Sequence, residues 1–285
     1  MAILIDGKAV SSKVKEEVAA QVQQLNQQGI SVGLDVVLVG ENPASKVYVR
    51  NKHKDCQKVG IRSAVHNLPP ETTEEELIHF VQRLNNDSNV NGILVQLPLP
   101  GHLSEEAVIA AIDPGKDVDA FSVGNVGKIM LGKYDFLPCT PAGVMELLAH
   151  YNIDVKGKHC VVIGRSNIVG KPMAMLLMHA HATVTICHSR TVDLASITRQ
   201  ADLIVAAVGR EGIVTGEMVK EGAILIDVGM NRNAEGKLCG DIDFDSAEKK
   251  ASYITPVPGG VGPMTRAVLL KNTIKAACLQ NGIRL

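Results

Sequence analysis

The sequence predicts an α/β protein with two domains, and three observations support this prediction. Short apolar strands alternate with helical stretches in both halves of the chain, an order typical of parallel sheets covered by helices. The chain has 285 residues and a hydrophobic content of 46%, which is enough for two hydrophobic cores. Prolines on both sides of Cys139 and Thr140 stiffen the chain near its middle. We therefore place the domain boundary after residue 140.

Each half of the chain has its own set of predicted elements. In the N-terminal half we predict strands at 36–39, 62–66 and 92–96, and helices at 8–28, 44–59, 73–86 and 104–112. In the C-terminal half we predict strands at 160–164, 183–187, 203–208, 224–228 and 253–256, and helices at 142–151 and 265–280. The expected domains are 1–140 and 141–263, the second a Rossmann-like, doubly wound parallel sheet. We expect the last helix, at about 264–285, to pack back on the first domain.

The first strand of the C-terminal half leads into a turn that is suited to binding phosphate. Gly164 permits a tight bend, and free N–H groups at the start of the following helix attract an anion. The dinucleotide pattern has glycines two and five residues after the first, whereas this chain has Ser166 and Val169 there, with Gly170 one residue later. A kinase-type phosphate loop fits less well, because Pro172 stands where that loop needs a magnesium-binding Ser or Thr. The alternative is a strand-to-helix turn without a ligand.

The residues after the next predicted strand indicate which dinucleotide would bind. An NAD site usually has an Asp or Glu about 20 residues beyond the glycines, which holds the ribose hydroxyls. Here Ser189 and Arg190 follow the strand, with no acidic residue beside them. A hydroxyl and a guanidinium suit a 2′-phosphate, and Arg165 in the turn offers a second cation. The sequence therefore favours NADP over NAD, the alternative being that Arg190 is a solvated loop residue.

One predicted helix of the N-terminal half carries three polar side chains on one face. Tyr48 and Lys52 are four residues apart, and Ser45 lies one turn before Tyr48. An aromatic hydroxyl beside an amine can orient and desolvate it, which favours the neutral form that acts as a base. The alternative is a solvated basic helix face, because five residues between positions 46 and 58 are Lys or Arg.

Three loops carry further candidate ligands. Gln96 ends an apolar strand that two prolines prevent from continuing, so its amide lies at a strand terminus, where binding sites are common. The carboxylate of Asp117 or Asp119 could pair with two N–H groups on the edge of a pterin or purine. In the segment Pro258, Gly259 and Gly260, the glycines allow a backbone to approach a ligand closely. The structural alternatives are satisfaction of the strand end for Gln96, helix caps or loop carboxylates for Asp117 and Asp119, and an ordinary flexible loop for the glycines.

Composition argues against several classes of protein. The formal net charge is −1 and no long basic run occurs, so a nucleic-acid partner is not expected. Residues 1–8 include Asp6 and no long apolar run, so we predict neither a signal peptide nor a membrane span. The six cysteines form no Cys-x-x-Cys pair and no zinc-type spacing with His. We therefore predict no metal site, and reduced thiols in a cytoplasmic protein.

A series of motifs in one order along the chain is similar to a known enzyme family. The motifs are Ser45-x-x-Tyr-Val-x-x-Lys52, Cys56 with Gly60-Ile61, Gln96-Leu-Pro-Leu-Pro100, Lys116-Asp-Val-Asp119, Pro138-Cys-Thr-Pro141, Gly164-Arg-Ser-x-Ile-Val-Gly-Lys-Pro172, Asp227-Val-Gly-x-Asn-Arg232 and Pro258-Gly-Gly-Val-Gly-Pro-Met-Thr265. Together they resemble the bifunctional methylenetetrahydrofolate dehydrogenase/cyclohydrolase family of the FolD type. The match covers nearly the whole chain.

The resemblance implies an NADP-dependent enzyme, usually a homodimer, that binds tetrahydrofolate derivatives in a cleft between two α/β domains. Such an enzyme oxidises 5,10-methylenetetrahydrofolate to the 5,10-methenyl cation and hydrolyses that cation to 10-formyltetrahydrofolate. Two alternatives stay open. One is a dehydrogenase with little cyclohydrolase activity, and the other is a non-catalytic regulator that binds folate or nucleotide.

The resemblance also implies roles for individual residues. In the folate site, Lys52 would be the catalytic amine, Gln96 would bond it, Tyr48 would pack by the folate ring and Asp119 would hold the pterin. The other substrate contacts implied are Ser45, Pro258, Gly259 and Gly260. The cofactor contacts implied are Thr140, Gly164, Arg165, Ser166, Ser189, Arg190 and Met230.

The chain departs from the family pattern at three positions. Met230 stands where isoleucine is common, and a backbone contact with the nicotinamide would survive this change. Ala120 and Ser122 stand where the family commonly has glycine and histidine. Alanine tolerates fewer backbone angles than glycine, so the turn that carries Asp119 has less conformational freedom here.

Overall fold

The computed structural model describes residues 2–283. It confirms the predicted α/β class with parallel sheets. The chain forms two compact units, which we call the large-sheet unit and the small-sheet unit. The large-sheet unit comprises 2–12 and Pro138–Val268, and the small-sheet unit comprises Lys13–Leu137 and 269–283.

The elements alternate along the chain as the sequence predicted. The strands are β1 (Ile3–Leu4), β2 (Gly33–Val39), β3 (Arg62–Leu68), β4 (Gly92–Val95), β5 (His159–Ile163), β6 (Thr183–Cys187), β7 (Leu203–Ala206), β8 (Ile224–Asp227), β9 (Asn231–Arg232), β10 (Leu238–Cys239) and β11 (Tyr253–Ile254). The helices are α1 (Gly7–Gln27), α2 (Pro43–Val59), α3 (Glu74–Asn86), α4 (Glu105–Ala111), α5 (Val123–Met130), α6 (Cys139–His150), α7 (Gly170–His179), α8 (Leu194–Thr198), α9 (Phe244–Ala247) and α10 (Val261–Gln280). None of the helices within 2–283 has the length and hydropathy of a membrane span.

The large-sheet unit is built on six parallel strands in the order β1-β11-β8-β7-β5-β6. Strands β7 and β8 are short, apolar and buried along their whole length, as expected for a sheet covered on both faces. In the pairing register, Ile163 lies opposite both Cys187 and Ala206, and Ala206 lies opposite Asp227. The loops after β5, β6, β7 and β8 therefore start along one edge of the sheet.

The start of the chain belongs to the large-sheet unit, whereas the division at residue 140 assigned it to the other domain. Strand β1 pairs in parallel with β11, with Ile3 opposite Tyr253. Close backbone packing extends this contact, because the N–H of Lys8 donates to the carbonyl of Gly259 at 3.0 Å. A strand of two residues has no sequence signal of its own, so the pairing was not foreseen.

The small-sheet unit has three parallel strands in the order β3-β2-β4. All seven residues of β2 are buried. The C-terminal part of α10 is bonded to this unit, because the Asn272 side chain donates to the carbonyls of Val118 and Leu137 at 2.8 and 2.9 Å. The side chains of Gln280 and Asn91 are also joined, at 2.9 Å.

Helix α5 was not predicted, and its first turn explains one departure from the family pattern. The Ser122 hydroxyl accepts the N–H of Asn125 at 3.4 Å and caps the helix. The N–H of Ser122 donates to the Asp117 carboxylate at 2.8 Å. The serine at this position therefore has a local structural role.

Residue 7 has no room for a side chain, which gives a test of the packing at the start of α1. A Cβ atom on Gly7 would lie 1.7 Å from the carbonyl oxygen of Gly260. Relieving this overlap requires a backbone shift, so we expect Gly7→Ala to lower the free energy of unfolding by about 2 kcal/mol or more. The measurement is a denaturant titration. Gly101→Ala is the matched control, because a Cβ there meets no atom within 4 Å. Equal stability of the two variants would contradict the close approach.

Candidate active site

Helix α2 places Lys52 in the interior of the small-sheet unit. The Asn42 side chain accepts the N–H of Ser45 at 3.1 Å and caps the helix, and Pro43 occupies its first turn. The buried face of α2 includes Ser45 and Lys52, and Lys52 is only 9% exposed. A buried amine needs a polar partner, because burial removes its hydration.

Gln96 is that partner. Lys52 Nζ lies 3.1 Å from the Gln96 side-chain oxygen Oε1 and donates a hydrogen bond to it. The Gln96 backbone N–H donates to the carbonyl of Val37 on β2 at 2.8 Å, and its side-chain nitrogen donates to the carbonyl of Leu97 at 2.5 Å. Both ends of Gln96 are therefore fixed, and its oxygen is directed at the amine. The structure brings together these two residues, whose pairing the family resemblance implied.

The same face of α2 carries a carboxylate and a thiol beyond Lys52. Asp55 is 5% exposed and forms an ion pair with Lys15 of α1 at 3.0 Å. Burial raises the pKa of the Cys56 thiol to about 12. Cys56 is therefore an uncharged packing residue, since a thiolate is the form that reacts.

Tyr48 and Asp119 are both half-buried. Asp119 lies in a turn that starts beside β4, where the N–H of Ile93 donates to the carbonyl of Lys116 at 2.8 Å. Ala120 is fully buried and has a φ of 58°, a left-handed conformation that costs an alanine about 1 kcal/mol. Ala120, at the position where the family commonly has glycine, thus has the left-handed backbone conformation that favours glycine.

Asp117 and Asn125 support that turn. The sequence predicts Asp117, like Asp119, to be a helix cap, a loop carboxylate or a ligand of a pterin or purine, and it assigns Asn125 no role. The Asn125 side chain donates to the Asp117 carboxylate at 3.0 Å and to the carbonyl of Pro114 at 3.1 Å. Both residues are 1% exposed. The one signal in the sequence was the presence of Asp117 inside the motif that ends at Asp119.

In the large-sheet unit, the turn after β5 requires glycine at position 164. Gly164 has a φ of +131°, and a Cβ there would lie 2.4 Å from the carbonyl oxygen of Ala207. Its N–H donates to the carbonyl of Cys187 at the end of β6, at 2.8 Å. The turn is therefore packed against the ends of both neighbouring strands, with Arg165 and Ser166 exposed beyond it.

Ser166 changes the expected character of this turn. Its hydroxyl accepts the N–H groups of Val169 and Gly170 at 3.1 and 3.2 Å, and its carbonyl accepts the N–H of Lys171 at 3.0 Å. The expectation that the N–H groups at the helix start are free for an anion is wrong for these three residues. Ser166, which stands at the place of the second glycine, therefore supplies the hydrogen-bond acceptors for the N–H groups at the start of α7.

Ser189 and Arg190 lie in the turn after β6, and both are exposed. The N–H of His188 donates to the Thr191 hydroxyl at 2.8 Å, and the N–H of Arg190 donates to the His188 ring at 3.1 Å. Because β5 and β6 are neighbours, this turn and the Gly164 turn start at adjacent strand ends. A hydroxyl and two cations therefore lie along one stretch of the sheet edge.

The remaining predicted contacts of the large-sheet unit lie in three places. The Thr140 hydroxyl, at the start of α6, is 3.0 Å from the Thr265 hydroxyl on α10. Met230 follows β8 and is 44% exposed. Pro258 is exposed, Gly259 has a φ of +118°, and Gly260 is buried.

Two buried carboxylates in the same unit were missed by sequence reasoning. Asp227 and Asp241 are 4% and 0% exposed. The Asp227 carboxylate accepts the backbone N–H groups of Gly229, Asp241 and Ile242 at 2.8–2.9 Å. Asp227 belonged to a motif, whereas Asp241 had no distinguishing neighbour in the sequence.

Groups that hold metals are absent from the described part of the chain: no cluster of three or more His, Cys, Asp or Glu side chains is suited to an ion. All six cysteines lie within 2–283 and are free thiols, and all but Cys239 are buried.

Models of two protein domains match the sequence. The catalytic domain of tetrahydrofolate dehydrogenase/cyclohydrolase matches residues 5–119, and the NAD(P)-binding domain of the same family matches residues 138–281. The first match lies mainly in the small-sheet unit and the second mainly in the large-sheet unit.

Individual relatives are similar over nearly their whole length. A protein of Moorella thermoacetica named bifunctional protein FolD is 59% identical over 274 residues, which are 96% of this chain and 98% of the relative. The crystal structure of the FolD methylenetetrahydrofolate dehydrogenase/cyclohydrolase of Campylobacter jejuni is 52% identical, with a TM-score of 0.97, over 98% of this chain and all of the other. The Trypanosoma brucei enzyme, solved with NADP cofactor and inhibitor, is 41% identical with a TM-score of 0.95, over 98% of each chain.

The parallel six-stranded sheet with its glycine turn, together with a second α/β unit that buries a lysine, defines a dinucleotide-binding enzyme of two α/β units. The two domain matches and the similarity of the relatives make the assignment more specific. The chain belongs to the tetrahydrofolate dehydrogenase/cyclohydrolase family.

The buried Asp227 carboxyl gives a pH-dependent prediction. Burial raises its pKa from 3.8 to about 6, although the N–H groups of Asp241 and Ile242 lower it. Between these two values the folded protein binds the proton more tightly than the unfolded chain, so stability from this group rises as the pH falls. Relative to Asp227→Asn, we expect the free energy of unfolding of the wild type to increase by about 2 kcal/mol between about pH 7 and pH 4.5.

The measurement is a urea titration of both proteins at a series of pH values. The asparagine variant lacks the titrating group, so the effects of groups that do not interact with Asp227 cancel in the difference. A difference that stays flat, or that decreases toward low pH, would contradict the raised pKa.

Proposed function

We propose that this protein oxidises 5,10-methylenetetrahydrofolate to the 5,10-methenyl cation with NADP⁺ and hydrolyses the cation to 10-formyltetrahydrofolate. The observation that carries the proposal is the buried Lys52 amine held by Gln96 at 3.1 Å. It occurs in a chain whose two units both match the tetrahydrofolate dehydrogenase/cyclohydrolase family. Related proteins that match this chain over nearly their whole length bear the name of the bifunctional enzyme.

The residues at the edge of the large sheet fit NADP. The Gly164 turn leaves no space for a side chain, and exposed Arg165, Ser189 and Arg190 supply two guanidinium groups and a hydroxyl for phosphate. Gly164, Arg165, Ser166, Ser189 and Arg190 would hold the phosphates, with Thr140 and Met230 as further contacts. When bound, NADP⁺ accepts a hydride from the methylene carbon of the substrate. The Trypanosoma brucei relative, solved with NADP, supports this choice of cofactor.

For the folate, the proposal assigns the pterin to Asp119. An aspartate can accept two parallel hydrogen bonds from the amino group and a ring N–H of the pterin. Ser45 and Tyr48 would line the same site on α2, and Pro258, Gly259 and Gly260 would contact the substrate through a closely approaching backbone. The folate nitrogens stabilise the cation themselves, so the protein mainly aligns the methylene carbon for oxidation.

Hydrolysis requires proton transfer, and this is the proposed role of Lys52. Water that attacks the methenyl carbon loses both protons as its oxygen becomes the formyl oxygen. The folate nitrogen that leaves this carbon gains one proton, and the other is released to solvent and removes the positive charge of the cation. A neutral amine can accept the first proton and return it. The Gln96 oxygen orients the amine without adding a negative charge beside it.

The proposal includes a homodimer located in the cytoplasm. Strand β6 is an outer strand of the large sheet, with one side unpaired in this chain, and Ile186 on it is 38% exposed. Pairing with β6 of a second copy would satisfy this edge with twofold symmetry. The molecular mass in solution, measured by light scattering, tests the dimer, and the free thiols are consistent with a reducing compartment.

A spectrophotometric assay tests the function. Methylenetetrahydrofolate is supplied with NADP⁺ or NAD⁺, and formation and decay of the methenyl product are followed. We expect formation with NADP⁺ and a decay faster than the spontaneous rate. Formation without enzymatic decay would favour a dehydrogenase with little cyclohydrolase activity, and binding without turnover would favour a regulator.

Replacing Lys52 tests the hydrolytic step. We expect Lys52→Met to reduce hydrolysis of added methenyltetrahydrofolate by roughly 10²- to 10⁴-fold, because the variant has a similar length and no group that carries a proton. Lys54→Met is the control, since Lys54 lies on the exposed face of the same helix. Hydrolysis at the wild-type rate in Lys52→Met would overturn the assignment.

Replacing Arg190 tests the choice of cofactor. We expect Arg190→Ala to raise the KM for NADP⁺ by about 10-fold and to leave the KM for NAD⁺ nearly unchanged, because only NADP⁺ carries the 2′-phosphate. The measurement is the initial rate of oxidation at varied cofactor concentrations. Arg199→Ala, at an exposed position after α8, is the matched control. Equal effects on both cofactors would show that Arg190 does not contact the 2′-phosphate.

A further inference from the structure

We infer that Asp241 is a positioning residue for the nicotinamide cofactor, and that its buried carboxylate holds the loops 208–210 and 229–231 at the carboxyl edge of the large sheet. The inference rests on the proposed function, because it takes NADP to bind at this edge. Asp241 is completely buried and lies in the short segment between β10 and α9. The reaction described above uses no proton or charge from it.

The first loop wraps its backbone around the Asp241 carboxylate. One oxygen, Oδ2, accepts the N–H groups of Val208 and Gly209 at 2.6 and 3.1 Å. The other, Oδ1, accepts the N–H of Arg210 at 2.8 Å. Three successive N–H groups around one anion form a nest, and hydrogen bonds to a charged acceptor are stronger than neutral ones. The conformation of the loop after β7 therefore depends on this carboxylate.

The second loop is held by the same carboxylate through a side chain. The Asn231 side-chain nitrogen donates to Asp241 Oδ1 at 2.9 Å. Asn231 follows Met230, the residue proposed to lie beside the nicotinamide. A Cβ on Gly229 would lie 2.1 Å from Asp241 Oδ1, so the backbone of this loop also passes directly against the carboxylate.

Asp227 fixes Asp241 in turn. Its carboxylate accepts the N–H of Asp241 at 2.9 Å and the N–H of Ile242 at 2.8 Å. A Cβ on Gly240 would lie 1.9 Å from Asp227 Oδ2. The two carboxylates thus form a chain of contacts from the end of β8 through Asp241 to the loop after β7.

The loop at 208–210 also supports the glycine turn. It begins directly after Ala207, whose carbonyl oxygen is the atom that excludes a side chain at position 164. The N–H of Ala207 donates to the carbonyl of Ile163 at 2.8 Å, so it is bonded to the strand that leads into the turn. A displacement of 208–210 would therefore alter the surface against which Gly164 packs.

The conservative substitution Asp241→Asn separates positioning from general stability. The amide has the same shape, but its NH₂ group faces N–H donors that the carboxylate oxygen accepted, so the two loops lose part of their anchor. We expect the Kd for NADPH, measured by the fluorescence of the cofactor, to rise roughly 10-fold or more. We expect kcat/KM for NADP⁺ to fall by a similar factor, while hydrolysis of added methenyltetrahydrofolate, assayed without cofactor, stays within about twofold of the wild type.

The matched control is Asp243→Asn, the same change at an exposed carboxylate two residues later, which we expect to leave all three measurements unchanged. The inference is overturned if Asp241→Asn binds NADPH like the wild type, or if it lowers oxidation and hydrolysis by the same factor. If Asp241→Asn does not fold, Asn231→Ala decides, because it removes only the link to the second loop. Weaker NADPH binding with intact hydrolysis in Asn231→Ala supports the inference, and unchanged binding overturns it.

These outcomes are distinct from a failure of the proposed function. A wild-type protein that neither binds NADPH nor oxidises methylenetetrahydrofolate would contradict the proposed function itself. An active wild type with an Asp241→Asn variant that binds NADPH normally would contradict only the positioning role.

Discussion

Parallel pairing of β5 with β6 and β7 is the constraint on which the candidate cofactor site depends. The register sets Ile163 opposite both Cys187 and Ala206, so the chain leaves all three strands at one level. Backbone atoms then meet where the loops begin, and the carbonyl of Ala207 occupies the space that a side chain at position 164 would need. Strand pairing therefore requires glycine at position 164, whether or not a ligand binds there.

In the small-sheet unit, strand pairing likewise fixes the position of a functional group, the Lys52 amine. The pairing of β2 with β4 fixes the backbone of Gln96, and α2 supplies Lys52 from its buried face. The partner is a neutral amide, so the amine donates its hydrogen bond to an oxygen that carries no negative charge. A carboxylate at position 96 would hold the ammonium form, which cannot accept a proton from water.

The sequence was sufficient for the larger elements, because apolar periodicity and strand-ending prolines are local signals, whereas the pairing of Lys52 with Gln96 was implied only by the family resemblance. Strand β1 depends on β11, about 250 residues away, and no local pattern reports such a pairing. The pattern of glycines located the turn at 164, but it could not show that the Ser166 hydroxyl would bond back to Val169 and Gly170. Asp241 had no signal at all, since its four donors come from two loops that are distant in sequence.

The Ser166 hydroxyl has a consequence for how this edge of the sheet would attract an anion. In a glycine-rich cradle, fixed backbone N–H groups and the helix dipole hold the phosphate at short range. Here three N–H groups at the start of α7 are already bonded to Ser166, so attraction depends more on the exposed guanidinium groups of Arg165 and Arg190. Charges on exposed side chains are screened by dissolved ions over about 10 Å at 0.1 M salt. The affinity of this edge for a phosphorylated ligand therefore falls more steeply with rising ionic strength than that of a cradle made of backbone alone.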